Sequence, residues 1–411
     1  MPRIRRGPLA ELPVEVTALV AVAFMVAVGF GVVAPAIPLF ATQFGVSKTA
    51  ASAVISAFAA TRLATAPFVG RLVNAFGERI VLATGIGIVA ASSALAGFAQ
   101  SYWQLLVLRG IGGVGSIMFS VSSVSLLIRV TPQELQGRAQ GVYAGGFLLG
   151  TIAGPALGFV AAWSLRAPFF LYAGTLMAAG AIGLGALRHS SLAARSGDRA
   201  TAVGLGVALH NRSYRAALAS TFAAQWALIG VRSAIVPLFV VEALGLGQGW
   251  IYVGFFTVSV VSGALLLPLG RYADVHGRRP VLLGGLVVGA AGLAVLPAWS
   301  DLGGLLVAMG LLGASGAALS VAPGAIVGDV VAGRGGTVVA AFQMAGDAGS
   351  ILGPVVAGWI ADASGYGATF AVASLIMLLP VAVVLVAPET RHRVPAGAVA
   401  NQTVAEGDVT S

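Results

Sequence analysis

Apolar runs of roughly twenty residues recur twelve times along this chain, and that recurrence leaves few folds open. The runs cover residues 15–41, 48–69, 80–99, 103–127, 139–162, 167–187, 216–241, 250–269, 280–298, 303–325, 337–360 and 367–387. A helix of roughly 20 apolar residues crosses the hydrocarbon core of a bilayer. No water is available there, so each run must close its backbone hydrogen bonds within itself, as a helix. The first run is too long for a signal peptide, carries Glu11 and Glu15 at its start and lacks a small-residue cleavage site. Composition agrees with this reading. Only 9% of the 411 residues are charged, against roughly 25% in soluble domains. Mean hydropathy is +0.96. A soluble enzyme, a disordered chain and a nucleic-acid-binding domain are therefore excluded as leading classes. Glycine numbers 57, as expected where small residues let membrane helices pack closely.

The net charge of +9 is an orientation signal. With the N-terminus placed in the cytoplasm, 18 basic residues fall in cytoplasmic segments and two, Lys48 and Arg166, in outer loops. Positive loops stay inside, so both termini are expected in the cytoplasm. A nucleic-acid partner is not expected. The remaining three basic residues, Arg62, Arg109 and Arg232, lie inside apolar runs.

The longest polar stretch, 188–215, divides the chain into similar halves. Pro38-Leu39-Phe40 matches Pro237-Leu238-Phe239, Gly70-Arg71 matches Gly270-Arg271, and Gly154-Pro155 matches Gly353-Pro354, all at an offset of 199–200. Repetition at one offset indicates duplication. The expected organisation is a six-helix bundle at 1–187, a cytoplasmic linker at 188–215, a second bundle at 216–390 and a disordered tail at 391–411. A duplicated six-helix half is a transporter architecture with its site between the halves.

Three motifs sharpen this. After the second run the chain reads Gly70-Arg71-Leu72-Val73-Asn74-Ala75-Phe76-Gly77-Glu78-Arg79, and after the eighth Gly270-Arg271-Tyr272-Ala273-Asp274-Val275-His276-Gly277-Arg278-Arg279. The fourth run holds Arg109 followed by Gly110, Gly112, Gly113 and Gly115. The fifth holds Gly146, Gly150, Gly154-Pro155 and Gly158. Over nearly its whole length the chain resembles the major facilitator superfamily. The paired segments are similar to its short cytoplasmic loop motif, and the fifth-run pattern is similar to that of its proton-driven drug exporters. The first loop copy departs from the family at Asn74, Ala75 and Glu78, and the fifth-run pattern departs at Phe159.

The resemblance implies an all-α fold of twelve transmembrane helices in two bundles, and proton-coupled efflux of small amphipathic compounds. A transporter of a metabolite such as a sugar or organic anion is the first alternative. A receptor or scaffold that transports nothing is the second. The resemblance also implies a cavity lined by runs one, four, seven and ten, with Phe24, Met25, Arg109, Met118, Gln225, Trp226, Arg232 and Met309 as candidates. Asp274 is expected to hold the inner side closed between the halves.

Of 14 acidic residues only Asp347 lies well inside a run. Arg62 and Asp347 fall at similar depths in runs two and eleven, which face each other in the family. They are expected to form a charge pair that closes the inner side and must separate before the carboxylate takes up a proton. Arg109 joins them as a candidate coupling residue, because an arginine at depth is costly unless it faces a cavity or partner.

No catalytic constellation is present, so an enzyme is not expected. There is no cysteine, and His189, His210, His276 and His392 are scattered, so no metal site is expected. No glycine-rich stretch ends in the Gly-Lys-Ser/Thr of a phosphate loop, which leaves no ATP-driven engine and no cofactor. The expected partners are a small-molecule substrate, a coupling proton and the lipid of a cell membrane, with the chain acting as a monomer.

Overall fold

The computed structural model describes residues 12–132, 135–186, 205–331 and 336–389. The tail at 391–411 and most of the linker lie outside the described residues. Every regular element among the described residues is helical. Eleven stretches are long and apolar enough to cross a membrane. The last of these, Ala341–Val386, has 46 residues, which is ~69 Å at helical rise and twice what one crossing needs. Gly365 breaks it, with φ 80° and ψ 178°, so this stretch makes two crossings and the described residues make twelve.

The first crossing is α1 (Val14–Val33) and α2 (Ala36–Thr42), interrupted at Ala34 and Pro35. The next three are α3 (Lys48–Phe76), α4 (Glu78–Gly97) and α5 (Tyr102–Val130). The fifth is α6 (Gln136–Leu157), tightening into a 3₁₀ turn at Gly158–Ala162, and the sixth is α7 (Ala167–Ala186). A short α8 (Leu205–His210) precedes the seventh crossing. That crossing joins α9 (Arg212–Ala224), a π-helical stretch at Gln225–Val231, α10 (Arg232–Ala234) and α11 (Val236–Glu242). Then come α12 (Gly249–His276), α13 (Arg278–Ala298), α14 (Leu302–Val331) and α15 (Gly336–Val386), which carries the last two.

Side-chain caps start several of these helices. Ser47 accepts the Ala50 N–H, Ser101 the Gln104 N–H, and Asn211 the N–H groups of Ser213 and Tyr214. Each cap satisfies donors that the first helical turn leaves open. One expectation changes at the helix ends. The motif segments at 70–79 and 270–279 read as loops, but α3 and α12 stay helical through Phe76 and His276. Only Gly77 and Gly277 turn, with φ of 81° and 108°. Polarity ends a membrane run without ending a helix. The helix stops where a residue takes up positive φ.

Helices of the first half pack mainly on one another, as do those of the second, and the halves meet where α3 crosses α15 and α6 crosses α12. Lipid is as apolar as leucine, so close backbone approach takes over from the hydrophobic effect in holding helices together. The fifth-run glycines supply it. A Cβ on Gly150 would lie 2.4 Å from the Phe24 carbonyl oxygen, and one on Gly154 2.6 Å from that of Val28, both on α1. The second half repeats the contact: Cβ atoms on Gly349 and Gly353 would lie 2.4 Å and 2.8 Å from the carbonyl oxygens of Phe222 and Trp226. Gly158 differs from its companions and abuts Tyr252 of α12, across the seam.

Candidate functional site

A cavity of about 380 Å³ lies at this seam. The first half contributes Arg62 from α3, Arg109, Ser116, Phe119 and Ser120 from α5, and Tyr172 from α7. The second half contributes Gln225, Ile229 and Ser233 from the seventh crossing and Asp347 and Ser350 from α15. Phe30, Phe58 and Phe147 add aromatic surface. Such a volume suits a small organic molecule, and a largely apolar wall with a few converging polar groups fixes its orientation.

Arg109 is buried, its guanidinium 4.6 Å from the Phe58 ring centroid, and its Nε has no hydrogen-bond partner. A cation over a ring face is attracted by the ring quadrupole. Arg62 donates through Nη1 to the Ser116 hydroxyl. Arg62 and Asp347 line the same cavity and each lies in the other's field, without forming an ion pair within 4.0 Å among the described residues. Arg109 and Arg62 both act on the buried Tyr172. The charged lining is thus two guanidiniums against one carboxylate.

The structure brings Arg62, Arg109, Gln225 and Asp347 together and sends the other candidates elsewhere. Lining comes from the first, second, fourth to seventh and eleventh crossings, and α14, the tenth, gives none. Met309 of α14 is fully buried beside Gly254 of α12. Met118 packs in a small cluster with Val69, Val73 and Val81. Met25 rests against the main core, and Phe24 is half-buried on α1 facing the glycines of α6. Trp226 is buried beside Phe222, its ring 5.9 Å away. Arg232 lies 5.4 Å above the Phe255 ring of α12 and does not line the cavity. Sequence reasoning missed Tyr172, Ser116, Ser120, Ser233 and Ser350. Their signal is a hydroxyl inside an apolar run, which many membrane helices carry for packing alone.

Within the π-helical stretch Gly230 approaches α15 closely, and a Cβ on it would lie 2.9 Å from the Gly353 Cα. Such widened turns are frequent at functional sites. Here the turn carries Gln225 and Ile229 to the cavity.

The cavity is shut at the end that carries Lys48. Ser56 donates to the Ile351 carbonyl at 2.6 Å, Ser259 to that of Thr151 at 3.0 Å and Tyr252 to that of Val32 at 3.3 Å, each across the seam. Near the arginine-rich end, Phe68, Phe76, Leu267 and Val275 are between 56% and 72% exposed. Asp274 stands 4.0 Å from Arg278, on its own side of the seam, its side chain 75% exposed. Arg278 also meets Asp329 at 3.3 Å, and Glu389 accepts the N–H groups of Arg278 and Arg279 at the start of α13. The first half puts Glu78 on Arg129 at 2.5 Å instead.

Comparison with known proteins adds the family. A family model described as Major Facilitator Superfamily matches residues 19–264 and again 217–407. The chain is 27% identical over 177 residues to "Multidrug resistance protein 1" of Bacillus subtilis (strain 168), covering 43% of this chain and 46% of that protein. It is 28% identical over 328 residues to the "Synaptic vesicular amine transporter" of Bos taurus, covering 78% and 63%. The chain thus spans less than two thirds of these two relatives. With "Multidrug resistance protein MdtG" of Proteus mirabilis (strain HI4320) it shares 26% over 364 residues, covering 84% and 89%. Among solved structures, a point mutant of the nucleoside transporter NupG superposes with a TM-score of 0.72 at 11% identity, over 90% of this chain and 99% of that one.

Proposed function

The chain belongs to the Major Facilitator Superfamily, whose members are membrane transporters and not enzymes, and from that premise we propose that it exports small amphipathic compounds in exchange for protons by alternating access. One observation carries the reading. The cavity at the seam holds Arg62, Arg109 and Asp347 among aromatic side chains. Asp347 is the proton site and Arg62 its partner. When the halves rock, the arginine-rich end closes and brings the two groups into contact. Protonation of Asp347 then requires them to part, which ties proton movement to the rocking. Removing two charges from water is costly, so such a pair serves as a switch more than as a source of stability.

The two bundles at 1–187 and 216–390 are the rocking bodies, joined by the linker at 188–215, and the tail at 391–411 takes no part. The arginine-rich end faces the cytoplasm, as positive loops do. The transporter sits in the cell membrane as a monomer and needs no cofactor. The relatives named for multidrug resistance support export.

A second reading, cotransport of an organic anion with a proton, is favoured by the excess of guanidinium over carboxylate in the cavity. Protonating Asp347 makes the cavity more positive, so anion and proton reinforce each other's binding. A cation and a proton compete. Neutral compounds fit exchange, anions fit cotransport, and permanent cations fit the lining least.

Proteoliposomes with an imposed pH gradient separate these readings. Exchange drives a neutral aromatic probe against the proton flow, and cotransport drives an aromatic carboxylate with it. A chain that moves neither, nor a quaternary ammonium dye, is a receptor or scaffold and the proposal fails. Tight binding of the ammonium dye with little binding of acids would remove the charge argument.

A further inference from the structure

The two seam contacts at the arginine-poor end are related by the internal repeat but differ in chemistry. Where α6 meets α12, Gly158 lies against the Tyr252 ring and Phe159 stands 6.5 Å from it. Where α15 meets α3, Gly358, one place beyond the repeat's counterpart of Gly158, lies against backbone: a Cβ there would be 2.8 Å from the Lys48 carbonyl oxygen. Four residues on, Asp362 reaches across the seam to the first turn of α3. One carboxylate oxygen accepts the Lys48 N–H at 3.0 Å. The other accepts the Thr49 N–H at 2.9 Å and the Thr49 hydroxyl at 2.6 Å. Ser47 takes the next donor, the Ala50 N–H, at 3.3 Å. Two of the three donors that open α3 are thus satisfied from the other half. The repeat places Trp163, a residue with no charge, where Asp362 stands.

Lys48 extends the contact. Its ammonium is 3.4 Å from Glu242 at the end of α11 and 5.2 Å from the centroid of the Tyr366 ring, and Tyr366 donates to Glu242 at 2.6 Å. Lys48 is the one lysine of the chain.

We infer that Asp362 is a gate residue of the transport cycle: its cap on α3 is a latch that holds the arginine-poor end closed, and the cap must break for that end to open. The carboxylate meets the positive end of the helix dipole as well as its free donors, so the contact is strong for one side chain. It is also open to water, so it releases at low cost and weakens with salt. An apolar seam such as that at Tyr252 has no comparable sensitivity to charge. The latch rests on the alternating-access reading only in that two states must exist.

The absence of native cysteine allows labelling without background. Spin labels at Gln43→Cys and Ala243→Cys report the arginine-poor end, and labels at Ala75→Cys and Val275→Cys the other. Distances are read by pulsed electron paramagnetic resonance on the full chain in lipid nanodiscs. Asp362→Asn should raise the ratio of open to closed at the arginine-poor end by roughly three- to tenfold, the range for a charge-assisted bond exposed to solvent. Thr49→Val should shift it the same way by less, and Asp362→Glu should restore the wild-type ratio. Gly358→Ala serves as a reference, because its Cβ keeps the seam from closing whatever the charge. Wild-type distances in Asp362→Asn and Thr49→Val, with Gly358→Ala opened, would overturn the latch. If neither label pair changes distance in any variant, Gly358→Ala included, alternating access fails and the latch with it.

Discussion

Replacing Gly154 by alanine tests whether glycine contacts hold the first half together. The added Cβ would stand 2.6 Å from the Val28 carbonyl oxygen and 2.8 Å from the Gly31 Cα. Both are backbone atoms of α1, so no side chain can swing aside. Ordinary contact distances require α6 and α1 to separate by about half an ångström or more, and a gap that size forfeits a quarter to a half of the dispersion between facing atoms. Overpacking of this kind costs about 1–3 kcal/mol. For a unit of about 190 residues that lowers the melting temperature by roughly 2–12 °C. Gly145 is the control, on the same helix with nothing within 4 Å of its Cβ position. Gly145→Ala gains up to about 1 kcal/mol of helix propensity and loses no contact. Thermal unfolding of the purified protein, followed by tryptophan fluorescence, gives both values. A Gly154→Ala variant as stable as Gly145→Ala would refute the argument that backbone approach is what these glycines provide, since both changes gain the same helix propensity.

Asp347→Asn should leave substrate counterflow intact while abolishing the response to an imposed pH gradient, and full proton-driven transport in that variant removes Asp347 from the mechanism. Asp274→Asn should impair transport severalfold with unchanged expression and unchanged stability, since its carboxylate here makes one distant, exposed pair; wild-type transport would exclude it as part of the opposite gate. The turn before α14 should depend on pH through Asp301, which accepts the Gly304 N–H at 2.9 Å and the Trp299 indole N–H at 2.8 Å. Those bonds, the Gly304 one first, hold its carboxyl below the usual 3.8. A depressed carboxyl stabilises the fold above its unfolded value, and that contribution is lost as pH falls through the folded one. The environment of Trp299, followed by fluorescence, should therefore hold steady down to about pH 4 and change only below it, and Asp301→Asn should remove the transition.

Some of this was legible without coordinates. The crossings could be read because a bilayer imposes one demand, about twenty apolar residues closing their own hydrogen bonds, whatever each helix later touches. The duplication was legible for a related reason: the glycines that press α6 on α1 and α15 on the seventh crossing occupy matching places in both halves. Arg62, Arg109 and Asp347 stood out because a charge at depth needs a cavity or a partner. What sequence could not give is the direction in which each helix faces. Gln225 and Trp226 are neighbours, yet one lines the cavity and the other is buried beside Phe222. Met118 and Ser116 are two residues apart, and only the serine reaches the cavity. In a soluble helix the polar stripe marks the outward face. In a membrane helix the lipid side and the core side are equally apolar, so the pattern carries no such mark. Which end is shut was likewise beyond it. The Asp362 cap links residues 313 and 314 positions apart, between groups that in isolation read as a helix start and a loop acid. A contact of that kind exists only in one arrangement of the two halves, and one sequence must support both.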